Sequence, residues 1–527
     1  MVDLTYYIPE LYDLKTYGKS FEYLKDIAID NILSFLKSDG KKRVIIDINH
    51  PDGDAVGSAI NFAILLEELK IPYLIGSHNP SSKLTFSVVR PPKNDILENL
   101  ERGIKTLMII QDNTPWVNFY YDVRKIIEHP GVKENLSFLI IDHHRFIGQD
   151  QVLKIRELER EYEGFVYLNY GHAKDAYIWW KGPNIPCAGE ISFSIVSEML
   201  KKLNMYDYKI TKTLLIPTLL ATYTDFRTPS FMASIEDKEV KRNIDELINA
   251  GTIKEWEGFQ SHFEEFINIA NGAIRATGLR VGDSLDTYSL TEVQMQFSPT
   301  HKLLRSIAAH TMLAAKIRNP MVLTRSPKDL GYEYGNEYYL SEIIEAEKEW
   351  SKIKTIARNA FLYYNINHYS LRSNRVSYFN DTKSIVAILP KTRTIAEYKG
   401  MKIDLSKLLK YPPYIEFFLT GYRPIAEMEI VKDASLIIVG IESSRNEGYA
   451  EFSFRSKSPS IPAGHFASEI THRIRKEFNI PHQYAFGGGH ENAAGLRIKQ
   501  EILDSLKRTY NLDVYSLMNE LIKQVRL

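Results

Sequence analysis

Arg43-Val-Ile-Ile-Asp-Ile-Asn-His-Pro-Asp-Gly-Asp-Ala-Val-Gly-Ser58 is the stretch on which the chain turns. A largely apolar run, Val44 to Ile48 with only Asp47 interrupting, gives way to His50, Asp52 and Asp54. Apolar residues at helical spacing follow from Ala59 to Leu69. A buried strand, a tight acidic turn and a helix account for that order. Carboxylates on a turn after a parallel strand stand at the sheet's carboxyl edge, where open α/β sheets place their ligands. Desolvating like charges there is costly unless cations neutralise them. A solvated aspartate-rich turn would read the same way, so this stretch alone leaves both accounts open.

Repetition of the same device downstream decides between them. Thr106 to Ile110 is apolar and ends in Gln111-Asp112-Asn113, and Leu136 to Ile141 ends in Asp142-His143-His144. A helical stretch, Leu214 to Tyr223, ends in Thr224-Asp225-Phe226-Arg227. Carboxylate and imidazole ligands without thiolate suit manganese, magnesium or iron better than a structural zinc site. A metal cluster is the reading that explains all of these segments together.

These residues carry a family resemblance. Pro51-Asp-Gly-Asp-Ala-Val-Gly-Ser58, Asp112, Asp142-His-His144 and Asp225 resemble the successive motifs of the DHH phosphoesterases. Phe452-Ser-Phe-Arg-Ser456 and Gly487-Gly-Gly-His-Glu-Asn-Ala-Ala-Gly495 resemble the two motifs of the DHH-associated substrate-binding domain. The combination is similar to the branch of RecJ exonucleases, NrnA-type oligoribonucleases and cyclic-dinucleotide phosphodiesterases, over about 40–230 and 375–500.

The resemblance implies a two-metal phosphodiesterase using Mn²⁺, with Mg²⁺ as the alternative. Asp112 would bridge the two ions. Asp54, His143 and Asp225 would complete one site, and Asp52 would belong to the other. His144 would sit beside the scissile phosphate as a donor or proton carrier, with Asp142 orienting the imidazoles. Relatives of the NrnA kind place a His where this chain has Ile48, so His50 is expected to supply the missing ligand. Arg455, Ser456, Gly487, Gly488, Gly489 and His490 would hold the substrate's far phosphate or ribose, since glycine lets backbone approach closely and Arg offers a bidentate fork. Short oligonucleotides, cyclic dinucleotides and related nucleotides are the expected substrates. A RecJ-like exonuclease on long single-stranded DNA and a non-catalytic scaffold are the alternatives, and the resemblance leaves a homodimer open.

At 527 residues the chain is too long for one ordinary core. Lys plus Arg and Asp plus Glu are 66 each, so a polyanion would need a local basic patch. The single cysteine, Cys187, excludes an intrachain disulfide and fits a cytoplasmic setting. Met1 to Leu14 lacks the pattern of a signal peptide, and the apolar run at Leu214–Leu220 contains Pro217 and falls short of a membrane span.

The expected architecture is α/β. A parallel-sheet domain with crossover helices occupies 1–230, with strands near 43–48, 73–77, 106–110 and 136–141, and Asp122 to His129 as one crossover. A helical connector or insertion fills 231–372, and a smaller α+β domain fills 373–527, with the glycine-rich stretch as a loop between helices. Between Asp150 and Pro186 the pattern dissolves. Tyr167, Tyr170, Tyr177, Trp179 and Trp180, interleaved with Lys174 and Lys181, read either as a loop packed on the sheet or as a base-stacking surface.

Overall fold

A computed structural model describes residues 9–48, 53–76, 100, 102–112, 120, 123–124, 127–128, 131–144, 149–174, 186–226, 265–266, 269, 299–332, 337–348, 377–379, 382–389, 395–398, 401–404, 435–441, 448–456, 461–481, 484–489 and 493–525. Two compact units divide the chain, Met1–Thr277 with Ser284–Glu349, and Gly278–Asp283 with Trp350–Leu527.

The first unit is built on a five-stranded sheet in the order β2-β1-β3-β4-β5, formed by β1 (Lys42–Ile48), β2 (Tyr73–Gly76), β3 (Lys105–Gln111), β4 (Leu136–Asp142) and β5 (Phe165–Asn169). Every pairing is parallel. Val44, Ile46, Leu107, Ile109, Leu139 and Ile141 face one apolar core, and Ile45, Met108, Ile110, Phe138 and Ile140 face another. Burial on both faces is why these strands read as continuous apolar runs. The first four strands stand where the sequence places them.

β5 and the helix before it, α3 (Gln149–Glu161), lie where the sequence pattern seemed to dissolve. Tyr167 and Tyr170 are 1% and 0% exposed, so neither ring can stack on a base. That corrects the base-stacking alternative for these two residues. Tyr177, Trp179, Trp180 and Lys181 lie outside the described residues, as does most of the expected crossover at Asp122–His129.

The helices on the first face are α1 (Phe21–Lys37), α2 (Gly53–Glu68), α4 (Ala188–Lys202) and α5 (Tyr208–Phe226). Ser20 caps α1, its hydroxyl accepting from Tyr23 N at 3.2 Å. α2 is buried from Asp54 to Leu66 because α4 and α5 enclose it. The enclosure is tight enough that a Cβ at Gly57 would overlap Pro217 O, so only glycine lets α2 and α5 approach this closely. Across the interface Asn61 Nδ2 donates to Gly189 O, Ser192 Oγ and Thr218 Oγ1. A further helix, α6 (Pro299–Ile317), packs on α5 and α2, and Ile307, Ala308 and Met312 enter the same core.

The second unit holds a six-stranded sheet in the order β12-β13-β11-β10-β7-β6. Its strands are β6 (Ser377–Phe379), β7 (Thr382–Leu389), β10 (Leu436–Ile441), β11 (Tyr449–Ser456), β12 (Ala485–Gly489) and β13 (Ala493–Lys499), and a separate hairpin joins β8 (Ile395–Tyr398) to β9 (Met401–Asp404). β10 and β7 pair parallel, and the other neighbours pair antiparallel. Helices α7 (Ala463–Phe478), α8 (Gln500–Tyr510) and α9 (Val514–Lys523) share a core with Leu436, Phe452, Phe454 and Leu496. The glycine-rich stretch expected as a loop is strand β12, paired with β13 through Gly487↔Leu496 and Gly489↔Ala494. Among the described residues no helix is long and apolar enough to cross a membrane.

Candidate metal centre

Strand register creates the site. Ile48, Gln111 and Ile141 stand in one row across β1, β3 and β4, so Asp112 and Asp142 emerge side by side at the carboxyl edge. Asp142 is paired in turn with Asn169 of β5. α2 begins just beyond β1 and carries Asp54 in its first turn. Asp54, Asp142 and His143 are each no more than 1% exposed, and Asp112 is 6% exposed. Asp112 adopts φ 51°, a left-handed conformation uncommon outside glycine, and its N–H donates to Ile141 O at 3.0 Å. The sharp turn this permits aims the Asp112 carboxylate at the β4 loop.

His143 Nε2 lies 3.1 Å from Asp112 Oδ1 and 3.6 Å from Asp54 Oδ2. His144 Nδ1 lies 3.6 Å from Asp112 Oδ1. One ligand atom each of Asp112, His143 and His144 falls within a mutual 4.8 Å. Two buried carboxylates, Asp54 and Asp112, thus converge on one imidazole nitrogen. Oxygen and imidazole donors without sulfur fit a hard or borderline divalent cation.

Asp54 is held from behind. Its Oδ1 accepts from Gly189 N at 2.7 Å and its Oδ2 from Ala188 N at 2.9 Å, placing the carboxylate on the N-terminus of α4. Unpaired amides and the helix dipole favour an anion there. Glu190 lies in the same turn and accepts from Cys187 N at 3.0 Å and from Thr222 Oγ1 at 3.3 Å. Burial, reinforced by the charge of Asp54, pushes Glu190 up to about 8, so it is neutral beside the cluster at pH 7.

Asp142 serves the loop itself. Its Oδ1 accepts from His143 N at 2.9 Å, His144 N at 3.1 Å and His144 Nδ1 at 2.8 Å. Its Oδ2 accepts from Tyr167 O–H at 3.1 Å. Burial alone would raise this carboxyl, but the charge and hydrogen bonds of His144, with the charge of His143, outweigh it and hold Asp142 down to about 2. Gly171 closes the floor, where a Cβ would overlap His143 O.

The expected site residues divide into groups. Asp54, Asp112, Asp142, His143 and His144 are brought together. Asp225 stands in the last turn of α5, and its side chain is outside the described residues, as are His50, Asp52 and His490. In the second unit Arg455 pairs with Ala493 and Gly489 with Ala494, so the two distant motifs meet at one end of β13. Arg455 is 5% exposed and donates through Nη1 to Phe454 O at 3.0 Å, and Ser456 Oγ lies 3.4 Å from Ser435 O. Asn169 and the Ala188–Glu190 turn were not singled out from the sequence, and Tyr167 was singled out only as a stacking or packing aromatic. Asn169 had a legible signal, because it too is a polar residue delivered at the end of an apolar strand.

No family model matches the chain, and no curated protein does. Solved structures do resemble it. RecJ in complex with Mn²⁺ from Thermus thermophilus is 11% identical over 97% of this chain and 56% of that one, with a TM-score of 0.42. This chain therefore spans little more than half of that RecJ. The DHH domain of a member of the s1p family of ribosomal proteins is 12% identical over 96% and 90%, with a TM-score of 0.44. An exopolyphosphatase-related protein from Bacteroides fragilis is 12% identical over 95% and 98%, with a TM-score of 0.35. The first unit has the parallel sheet expected from the sequence, with Asp112 and Asp142 at its carboxyl edge. Scores this low carry no activity from one protein to another.

Proposed function

We propose that the chain is a metal-dependent phosphodiesterase of the DHH type, acting on short oligonucleotides, cyclic dinucleotides or related nucleotides. The observation that carries the proposal is the convergence of Asp54, Asp112 and His143 at the sheet's carboxyl edge, with the Asp142–His144 pair beside them. Asp112, Asp54, His143 and Asp225 would hold one cation, with His50 and Asp52 as ligands of a second that Asp112 shares. Manganese is the preferred ion and magnesium the alternative. Divalent cations supply Lewis acidity toward a phosphate and lower the pKa of water.

The chain's own groups do the rest. Asp142 accepts from His144 Nδ1, so the ring's Nε2 edge is the one to meet a phosphate oxygen and to give or take a proton there. The α4 N-terminus holds Asp54 in place through the Ala188 and Gly189 amides. Arg455, Ser456, Gly487 to Gly489 and His490 would grip the far phosphate. Residues 1–230 form the catalytic domain in this reading, 231–372 a helical insertion and 373–527 the substrate-binding domain, in a cytoplasmic protein.

The test is a product-resolved assay with Mn²⁺ on a dinucleotide, a cyclic dinucleotide, 3′-phosphoadenosine 5′-phosphate and a long single strand. Hydrolysis of one of the short substrates, lost in Asp112→Asn along with Mn²⁺ binding, is expected. Preference for the long strand would favour an exonuclease. No hydrolysis of any substrate by a folded, Mn²⁺-loaded protein would favour a scaffold and overturn the proposal.

A further inference from the structure

We infer that Tyr167 and Asn169 are positioning residues for His144, joined with Asp142 in a closed hydrogen-bonded ring that fixes the imidazole as its Nδ1–H tautomer. The inference deepens the phosphodiesterase reading and rests on it for the purpose of the ring, though not for the ring's existence.

The ring can be followed atom by atom. His144 Nδ1 donates to Asp142 Oδ1 at 2.8 Å, and Tyr167 O–H donates to Asp142 Oδ2 at 3.1 Å. Asn169 Nδ2 donates to Tyr167 Oη at 2.9 Å and to His144 O at 2.7 Å, which returns to the residue where the ring began. Both amide hydrogens of Asn169 are thereby used, and its Oδ1 accepts from Gly171 N at 2.9 Å. A flipped amide would set its oxygen against His144 O and its NH₂ against Gly171 N–H, so the amide orientation is determined.

Direction then propagates around the ring. Tyr167 Oη receives from Asn169, so its single hydrogen goes to Asp142. Asp142 Oδ1 already accepts from the main-chain N–H groups of His143 and His144, and Oδ2 from Tyr167 O–H, so the hydrogen shared with His144 must sit on Nδ1. In the neutral ring Nε2 therefore carries the lone pair, as a proton acceptor or ligand requires. Asp142 and Asn169 are 0% exposed and Tyr167 is 1% exposed, so solvent cannot replace a lost member. Asn169 also holds the main chain of the very residue whose side chain Asp142 holds. Imidazole and backbone of His144 are thus tied to one edge of β5.

Packing of the sheet uses the Tyr167 ring and not its hydroxyl. The Tyr167 ring fills the core without its hydroxyl, which a phenylalanine would leave out with little change of shape. A merely structural tyrosine and a positioning tyrosine therefore make different predictions for Tyr167→Phe.

The experiment uses the full chain labelled with ¹⁵N-histidine, free of metal, at a pH where the ring is neutral. Long-range ¹H–¹⁵N spectra report the tautomer, and His144→Gln identifies the signal. The wild type should show Nδ1–H. Tyr167→Phe and Asn169→Ala should each show mixed tautomers and, with Mn²⁺, a kcat lower by about 10–100-fold. KM should stay within about twofold, because the ring acts on the reacting geometry and not on the far phosphate. An Nε2–H tautomer in the wild type would overturn the inference without any variant. Folded variants that keep both the wild-type tautomer and the wild-type kcat would do the same. Asp112→Asn separates the two ideas: if it hydrolyses normally the phosphodiesterase reading fails, while the metal-free spectra still decide the ring.

Discussion

Replacing Asp142 by Asn should destabilise the metal-free protein by about 4 kcal/mol at pH 7, from two contributions. The first is electrostatic. Asp142 is held down to about 2 from an ordinary 3.8, a difference worth about 2–3 kcal/mol in favour of the folded, ionised state. The second is a donor conflict. If the new amide oxygen keeps the three N–H donors of Oδ1, its NH₂ must face the Tyr167 hydroxyl, which already receives from Asn169 Nδ2. A buried polar group left without a partner costs about 1–3 kcal/mol. The pH dependence has a definite sign. A depressed carboxyl pKa gives stability that is fully present above about 3.8 and lost as pH falls through about 2. Hydrogen exchange in the peptide spanning 136–144, measured in the presence of chelator, reads the local free energy, because the His143 and His144 amides donate to this carboxylate. The variant should exchange there faster by two to three orders of magnitude, about 1.36 kcal/mol per tenfold. Exchange within about threefold of wild type at pH 7 would refute the account, since under 1 kcal/mol would separate the proteins.

Glu159 is 5% exposed and burial pushes it up to about 7, so the folded state prefers it protonated between about 4.5 and 7. Glu159→Gln should therefore match the wild type near pH 4 and gain on it as pH rises, by at most about 3 kcal/mol, in urea melts across that range. His310 on α6 is fully buried and brought down to about 4 by burial, with Nε2 3.3 Å from Leu323 O and no partner for Nδ1 among the described residues. Protonating it would bury an N–H without an acceptor, so wild-type stability should fall as pH drops from about 6.5 toward 4, by up to about 3 kcal/mol, and His310→Leu should flatten that slope in the same melts. Arg455→Ala should raise KM on a dinucleotide by about 10-fold or more, for a charge-assisted hydrogen bond worth about 1.5–3 kcal/mol, and kcat should change little. Equal KM values would remove Arg455 from the substrate site.

The sequence was most legible where one physical rule dominated. Val44 to Ile48 and Leu136 to Ile141 are buried on both faces, and such strands announce themselves as apolar runs ending at a polar edge. That rule also located Asp112 and the Asp142–His144 loop. It failed at β5 because Phe165-Val-Tyr-Leu-Asn169 uses tyrosine as a core residue, and tyrosine on a sequence invites a surface role. Burial of the Tyr167 ring with its hydroxyl partnered is what settles the residue, and a partner twenty-five residues away is not visible along the chain. The glycine-rich stretch misled for the opposite reason. Glycine usually marks a turn, yet here Gly487 and Gly488 sit inside β12, paired to Leu496 and Gly495. The Ala188–Glu190 turn had no signal of its own, since its role depends on α4 ending its approach at Asp54.

Charge at the carboxyl edge gives the strongest physical reason to expect a cation. Among the described residues, three buried carboxylates, Asp54, Asp112 and Asp142, meet there with two imidazoles. Asp142 is fully engaged by the His143–His144 loop and Tyr167, so it is satisfied without a ligand. Glu190, which would add a further negative charge, is instead kept neutral by burial. The α4 amides offset part of Asp54, Gly189 N–H donating to Oδ1 and Ala188 N–H to Oδ2, the oxygen that also faces His143. Asp112 Oδ1 and Asp54 Oδ2 are both directed at His143 Nε2. Buried carboxylates that converge on one point are costly to hold without a compensating cation. A divalent ion balances both at once. Among the described residues, Asp54 and Asp112 are the two carboxylates whose oxygens meet at His143 Nε2, and they are the pair that the proposed reading assigns to a cation.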